Sequence, residues 1–337
     1  MAKSVLLITL VFSILFGCKE KSPVADCPSY QNIQLSPYRD PIWHPSGKII
    51  GFNHNPIKEI NYINGFECPL QANYVYETRS AGFWLINADG SDQHQTLPFY
   101  LDTPAWSPDG KWIAFSKGAQ IYKMPFDGVK FDTTGIIQLT YESRNFYPAW
   151  SADGSSIAFG RSICSGPGTC GIWNIDANSK QSTFIADYGV FPDWNPQKPK
   201  ELLYLTNTND SKGVDIGDSL WRIDVSTKKK TLIKFLTEPF YESRYMKISY
   251  DALHIGFVGW LKAGGVSQIY KMSSDGTSLQ QLTTAGSQGF SWSPTGQIAY
   301  MNFDERRIDE KSGTIWVMNH DGSNPRQLTF NHFTTKN

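Results

Sequence analysis

The chain has 337 residues, and 31 Lys+Arg balance 31 Asp+Glu to a formal net charge of zero. That balance excludes the basic footprint of a nucleic-acid binder, and no Lys/Arg run is long enough for a polybasic membrane patch. Aromatics are 14% of the chain, with 28 Gly and 19 Pro, a composition that points to many short strands joined by tight turns.

Residues 1–18 read as an export signal rather than as fold. Lys3 supplies a positive start, and the apolar run from Val5 to Phe16 is too short to span a bilayer. The run ends Leu15-Phe16-Gly17-Cys18, which resembles the signal of a bacterial lipoprotein, with Phe16 bulkier than usual. Cys18 is then the lipidated N-terminus, and acyl chains anchor the protein to the lipid bilayer of the cell envelope, periplasmic or surface-exposed. Residues 19–36 serve as a tether that ends in a strand-like segment, Ile33-Gln34-Leu35-Ser36.

Four more cysteines, an even number in an exported chain, suggest disulfides. Cys164 and Cys170 flank the turn-rich Ser165-Gly166-Pro167-Gly168-Thr169 and are expected to pair, adding about 2 kcal/mol by loop closure. By elimination Cys27 pairs with Cys68, although other connectivities are open. Neither spacing is Cys-x-x-Cys and the His residues are scattered, so neither metal nor cofactor is expected.

Beyond the tether, one pattern recurs. Trp106-Ser107-Pro108-Asp109-Gly110 is echoed at Trp43-His44-Pro45-Ser46-Gly47, Trp150-Ser151-Ala152-Asp153-Gly154, Trp194-Asn195-Pro196 and Trp292-Ser293-Pro294-Thr295-Gly296, with a degenerate copy at Ile248-Ser249-Tyr250-Asp251. Each copy opens a unit of four strands. An apolar second strand follows (Trp112-Ile113-Ala114-Phe115), then a third with an aromatic between aliphatics (Ile121-Tyr122-Lys123-Met124). A second Asp-Gly turn and a more polar fourth strand ending near Leu-Thr complete the unit. The landmark positions 43, 106, 150, 194, 248 and 292 are spaced by 63, 44, 44, 54 and 44 residues. Such a period, with four strands per unit, predicts an all-β, six-bladed propeller of four-stranded antiparallel blades over 37–330, followed by a tail at 331–337. The two long steps are insertions between second and third strands, near Asn53–Ala81 and Asn207–Asp218.

These segments, in this order, resemble the TolB-type, WD-like propeller family over residues 37–330. The resemblance implies a six-bladed propeller in the bacterial envelope with binding as its usual role. Residues 19–36 are too few for the α/β domain that TolB carries before its propeller, so a lipoprotein form without that domain is expected. The same repeats precede hydrolase domains in prolyl-oligopeptidase-like enzymes, but no Gly-x-Ser-x-Gly elbow occurs here. With no catalytic constellation either, the expectation is a binding protein and not an enzyme.

Connectivity separates two faces. First-to-second and third-to-fourth turns share one, and they are tight. Second-to-third loops and inter-blade crossings share the other, which gathers the long insertions, Phe303–Gly313 included. Long loops on a rigid scaffold favour that face for binding. Its crossings carry Arg39, Asp40, Asp102, Glu142, Arg144, Glu242 and Arg244, with Tyr-Glu-Ser-Arg occurring twice. Three Arg around a rim suit a carboxylate or acidic side chain; the alternative is that Glu142 and Glu242 join neighbouring Arg in inter-blade salt bridges. The landmark Trp residues read as packing between blades, and Asp109 and Asp153 as turn-formers. The expected partner is an envelope protein or peptide on the long-loop face. A carbohydrate-binding or carbohydrate-active propeller with its site at the channel mouth is the other reading, so a glycan stays possible. Changing Cys18 to Ser is expected to release the protein from membrane fractions; its persistence there contradicts lipidation.

Overall fold

A computed structural model describes residues 37–62, 72–162, 169–209, 211–237, 239–261, 266–303, 311 and 313–336. Cys18, Cys27, Cys68, Cys164 and the Ile33–Ser36 segment lie outside these residues. Cys170 is disulfide-bonded, and its partner also lies outside them.

The repeat unit folds as read. Six four-stranded antiparallel sheets follow one another along the chain. The first sheet is ordered Tyr38–Trp43, Ile49–His54, Gly82–Asn87 and His94–Leu97, and the second Asp102–Trp106, Trp112–Lys117, Gln120–Pro125 and Ile137–Gln138. The third blade takes Arg144–Trp150, Ser156–Ser162, Gly171–Asp176 and Ser182–Asp187; the fourth takes Val190–Trp194, Glu201–Asn209, Asp215–Asp224 and Lys230–Leu236. Phe240–Ile248, His254–Leu261, Gln268–Ser273 and Gln280–Gln281 form the fifth, and Ser287–Trp292, Gln297–Asn302, Thr314–Asn319 and Arg326–Gln327 the sixth.

The turn chemistry explains the reversals. In the second blade Ser107 Oγ donates to Asp109 Oδ1 at 2.6 Å, and the Lys111 N–H donates to the same oxygen at 3.0 Å. Gly110 adopts φ +70°, and a Cβ there would stand 2.3 Å from His44 Nε2 of the preceding blade. His44 hydrogen-bonds the Gly110 carbonyl at 3.1 Å, so this glycine permits both the turn and the inter-blade approach. Asp153 repeats the arrangement with Ser151 Oγ at 2.7 Å.

The apolar core lies between blades. Phe83, Leu85 and Leu97 of the first blade pack with Trp106, Ile113 and Phe115 of the second. One sheet cannot cover both of its faces, so each blade uses its neighbours. The landmark tryptophans are buried as expected, and two of their indoles also bridge blades. Trp150 Nε1 donates to the Ala105 carbonyl at 3.1 Å, and Trp292 Nε1 to the Lys247 carbonyl at 3.3 Å.

The ring closes without exchange of strands among the described residues. Phe52 and Ile86 of the first blade share a core with Met301, Ile315 and Val317 of the sixth. Arg326 donates across the seam to the carbonyls of Asp89 and Ala88 at 2.9 and 2.7 Å. The tail after the sixth blade is ordered: Thr334–Lys336 pairs in parallel with Ile57–Tyr62, which pairs antiparallel with Ala72–Tyr76. The first insertion is thus a hairpin that receives the C-terminal strand. The second insertion is mostly a continuation of its strands, which stay paired out to Asn209 opposite Asp215. Lys336 meets Glu59 at 2.6 Å in an exposed pair, the weakest part of this clasp. Deleting residues 332–337 is therefore expected to lower the thermal midpoint by several degrees, whereas Lys336→Ala leaves it nearly unchanged; comparing the two variants by circular dichroism checks this.

Candidate binding site at the channel mouth

Every inner strand carries a bulge at one place. The pairing with the second strand slips between Arg39 and Ile42, Asp102 and Ala105, Phe146 and Ala149, Val190 and Asp193, Arg244 and Lys247, and Gln288 and Phe290. The residue at each slip stands three before the landmark and has left-handed φ: Asp40, Thr103, Tyr147, Phe191, Tyr245 and Gly289, between 49° and 67°. Pro41, Pro104, Pro148 and Pro192 follow four of these residues. A proline is tolerated where the bulge breaks the ladder, since it has no N–H to leave unpaired. Five of the six bulged residues are not glycine, so packing around the axis holds them in a costly conformation.

These six residues line a cavity of ≈ 70 Å³ at the axis. The ring is lopsided. Tyr147, Phe191 and Tyr245, from three consecutive blades, lean together with centroids 4.3, 5.5 and 6.4 Å apart. Opposite them stand Gly289, Asp40 and Thr103, which leave the space open. Asn53 Nδ2 donates to Asp40 Oδ2 at 3.0 Å and to the Leu101 carbonyl at 2.7 Å, fixing the carboxylate. Burial pushes the Asp40 carboxyl up, while the Arg39 charge and the Asn53 bond pull it back down. Burial likewise raises the Tyr147 phenol.

The rim residues named from sequence separate here. Arg39 lies over the Tyr100 ring at 5.5 Å. Arg244 pairs with Glu242 two residues away in the same strand and lies 5.5 Å from the Trp260 ring. The Glu242 pair is thus within a strand rather than between blades. Arg144 is exposed at the start of its strand, opposite Ser162, and neither it nor Glu142 lines the axial cavity. Asp102 is exposed, and its charge acts on Asp40. Sequence spacing thus brings Asp40 to the mouth but puts Arg39 and Arg244 one residue short of it. The signal for the missed positions is present in the chain: the residue before Pro, three before the landmark, in four of six copies.

The tight-turn face is less plain than its sequence suggests. A second cavity of ≈ 400 Å³ is lined there by the landmark tryptophans and by Pro45, Pro108 and Pro196. The two cavities share Ile42, Pro104, Lys247 and Phe290, so they follow one another along the axis. Lys247 Nζ meets Asp193 Oδ1 at 3.1 Å between them. Among the described residues no group of three His, Cys, Asp or Glu is placed to hold a metal ion.

The class that this architecture defines is the six-bladed β-propeller, and solved structures agree. The chain superposes on a putative TolB from Agrobacterium tumefaciens with TM-score 0.56 and 19% identity, covering 73% of this chain and 84% of that one. TolB from Acinetobacter baumannii gives 0.58 and 18%, over 86% of this chain and 66% of that one. An oligogalacturonate lyase in complex with manganese gives 0.53 and 12%, over 87% and 78%. At these identities the likeness is one of fold. No family model matches the sequence, and no curated protein sequence matches it.

One carboxylate near the mouth is titratable in a useful range. Asp218 is buried and accepts the Ser243 N–H at 2.6 Å, tying the fourth blade to the fifth. Burial, with the charges of Glu242 and Asp215, pushes its pKa from 3.8 to about 6 against the pull of Ser243 and Arg244. The folded state then holds this proton more tightly than the unfolded chain, so the group removes stability as pH rises from about 4 to about 6. Asp218→Asn keeps an acceptor without the charge. Its stability relative to the parent is expected to improve across that window by roughly 2–3 kcal/mol in urea titrations; a constant difference contradicts the assignment.

Proposed function

We propose that the chain is a non-enzymatic, lipid-anchored propeller of the bacterial envelope that binds a protein or peptide segment at the mouth of its axial channel, on the long-loop face. The observation that carries this reading is the convergence of six bulged residues on one small, mostly apolar cavity with a carboxylate in its wall. A rigid ring supports them, so a docking segment would meet a preformed site and lose little to reorganisation. The paired strands Ile57–Tyr62 and Ala72–Tyr76 and the inter-blade crossings stand on the same face and supply surface for a partner larger than the cavity.

A glycan is the second reading. Tyr141, Tyr188 and Tyr241, on three successive crossings, are 66%, 73% and 67% exposed, and exposed phenol rings suit sugar faces.

Gly289 offers a direct test. Its Cβ position is open, with the nearest atom at 3.8 Å, and tyrosine already occupies the equivalent positions 147 and 245 at similar φ. Gly289→Tyr is expected to close the mouth while leaving the thermal midpoint within a few degrees. Crosslinking in intact cells, followed by purification, should then recover at least about tenfold less partner than the parent chain recovers, the scale of one lost central contact. Unchanged capture contradicts the mouth as the docking point. Binding to a glycan array, without any protein captured, favours the second reading.

A further inference from the structure

We propose that the channel mouth receives a primary ammonium group, the side chain of a lysine on the docking segment, held by Asp40, Tyr147 and Tyr245. This rests on the reading of the mouth as a protein- or peptide-binding site and adds the chemistry of its anchor. It also reverses the sign suggested by an arginine rim.

The cations near the mouth are already engaged. Arg39 lies over Tyr100, and Arg244 is held by Glu242 and Trp260. Asp40 feels the charge of Arg39 but makes no ion pair among the described residues, and only its Oδ2 accepts a hydrogen bond, from Asn53. The hydroxyls of Tyr147 and Tyr245 likewise make no hydrogen bond among the described residues. All three side chains line the same cavity, and the Asp40 charge is felt by both phenols. Three residues whose oxygens have spare acceptor capacity therefore line one space. Asp40 and Lys247 are the charged residues that line the cavity, and Lys247 is already paired with Asp193, which leaves Asp40 as the charge without a contacting counter-ion.

An alkylammonium answers each of these features. It has three N–H donors for three oxygen acceptors. Its charge offsets the half-buried carboxylate, and its methylene stem lies against the rings of Phe191 and Tyr245. Other cations fit less well. A guanidinium binds best through a two-pronged carboxylate contact, and one prong of Asp40 is occupied by Asn53. A calcium ion takes six to eight oxygens, several of them anionic, and the mouth has one carboxylate with two guanidiniums in electrostatic range. A quaternary ammonium needs a slot between rings, but Tyr147 and Phe191 already touch each other at 4.3 Å.

The test uses the full chain and two synthetic peptides, acetyl-Gly-Lys-Gly-amide and its norleucine analogue, titrated by NMR. The lysine peptide is expected to bind about tenfold more tightly than the norleucine peptide, the discrimination one charge-assisted contact provides. Asp40→Asn should erase that preference, since Asn tolerates the left-handed backbone and can still accept from Asn53. The double variant Tyr147→Phe, Tyr245→Phe keeps the rings and removes two acceptors, so it too should weaken the lysine peptide with an unchanged melting temperature. Equal affinity for the two peptides overturns the inference. So does full lysine affinity in Asp40→Asn, or an Asp40-dependent response to calcium chloride that the lysine peptide does not compete away. The broader reading fails separately: lysine selectivity in vitro with no partner captured in cells removes the protein-partner role and leaves the ammonium site standing.

Discussion

The structure depends on one extra residue at the same place in each inner strand. A regular strand alternates its side chains between two faces, and in a propeller both faces are taken by neighbouring blades. Without an interruption, no side chain would be aimed along the axis with its own direction. The bulge inserts that residue, turns it left-handed and aims it at the channel, six times over. The prolines that follow at four of the six positions make regular pairing impossible there. Five of the six residues are not glycine, so five blades carry the same strained conformation at the same place.

From that constraint the character of the mouth follows. Its composition is set by six unlinked choices rather than by a loop, so it can be asymmetric on a symmetric scaffold. Here aromatic residues occupy three consecutive blades, and small or polar residues occupy the other three. Packing on the aromatic side leaves the cavity on the polar side, next to Asp40. The deeper channel repeats the asymmetry, with Asp193 and Lys247 on neighbouring blades facing Ile42, Ala105 and Ala149. The ends of the described fold meet nearby. The first inner strand starts beside Asn55, whose N–H donates to the Pro37 carbonyl at 2.7 Å, and the C-terminal strand joins the hairpin just beyond.

Most of the fold was legible in the chain because the determinants are local. A Trp followed by a Pro or Asp-Gly turn sets a blade start, and Ile-Ala-Phe or Ile-Tyr-Lys-Met marks buried strands. The turn carboxylates bond within two or three residues, as Asp109 and Asp153 do. The degenerate copy at Ile248 was recoverable from spacing alone. The site was legible only in part. Counting back four residues from the landmark selects Arg39 and Arg244, which would face the axis only if the strand were regular. The bulge shifts the register by one, and a one-residue shift exchanges the two faces. Asp40 was selected for its charge rather than its position, and Tyr147, Phe191 and Tyr245 were not singled out. Arg144 stands away from the axial cavity for a different reason: its repeat is textual, since Tyr-Glu-Ser-Arg sits at unequal distances from the two landmarks. The clasp by residues 334–336 was hidden because its pairing spans most of the chain, and a three-residue polar strand has no signature of its own.

The most direct measurement is site-specific photocrosslinking in intact cells from a benzoylphenylalanine placed at Tyr241, an exposed crossing residue on the long-loop face, or, in a separate strain, at Ala152 on the tight-turn face. Capture of a discrete partner from position 241 and not from 152 is the expected result. Capture from 152 alone would place the binding surface at the opposite end of the channel and contradict the mouth as the functional site.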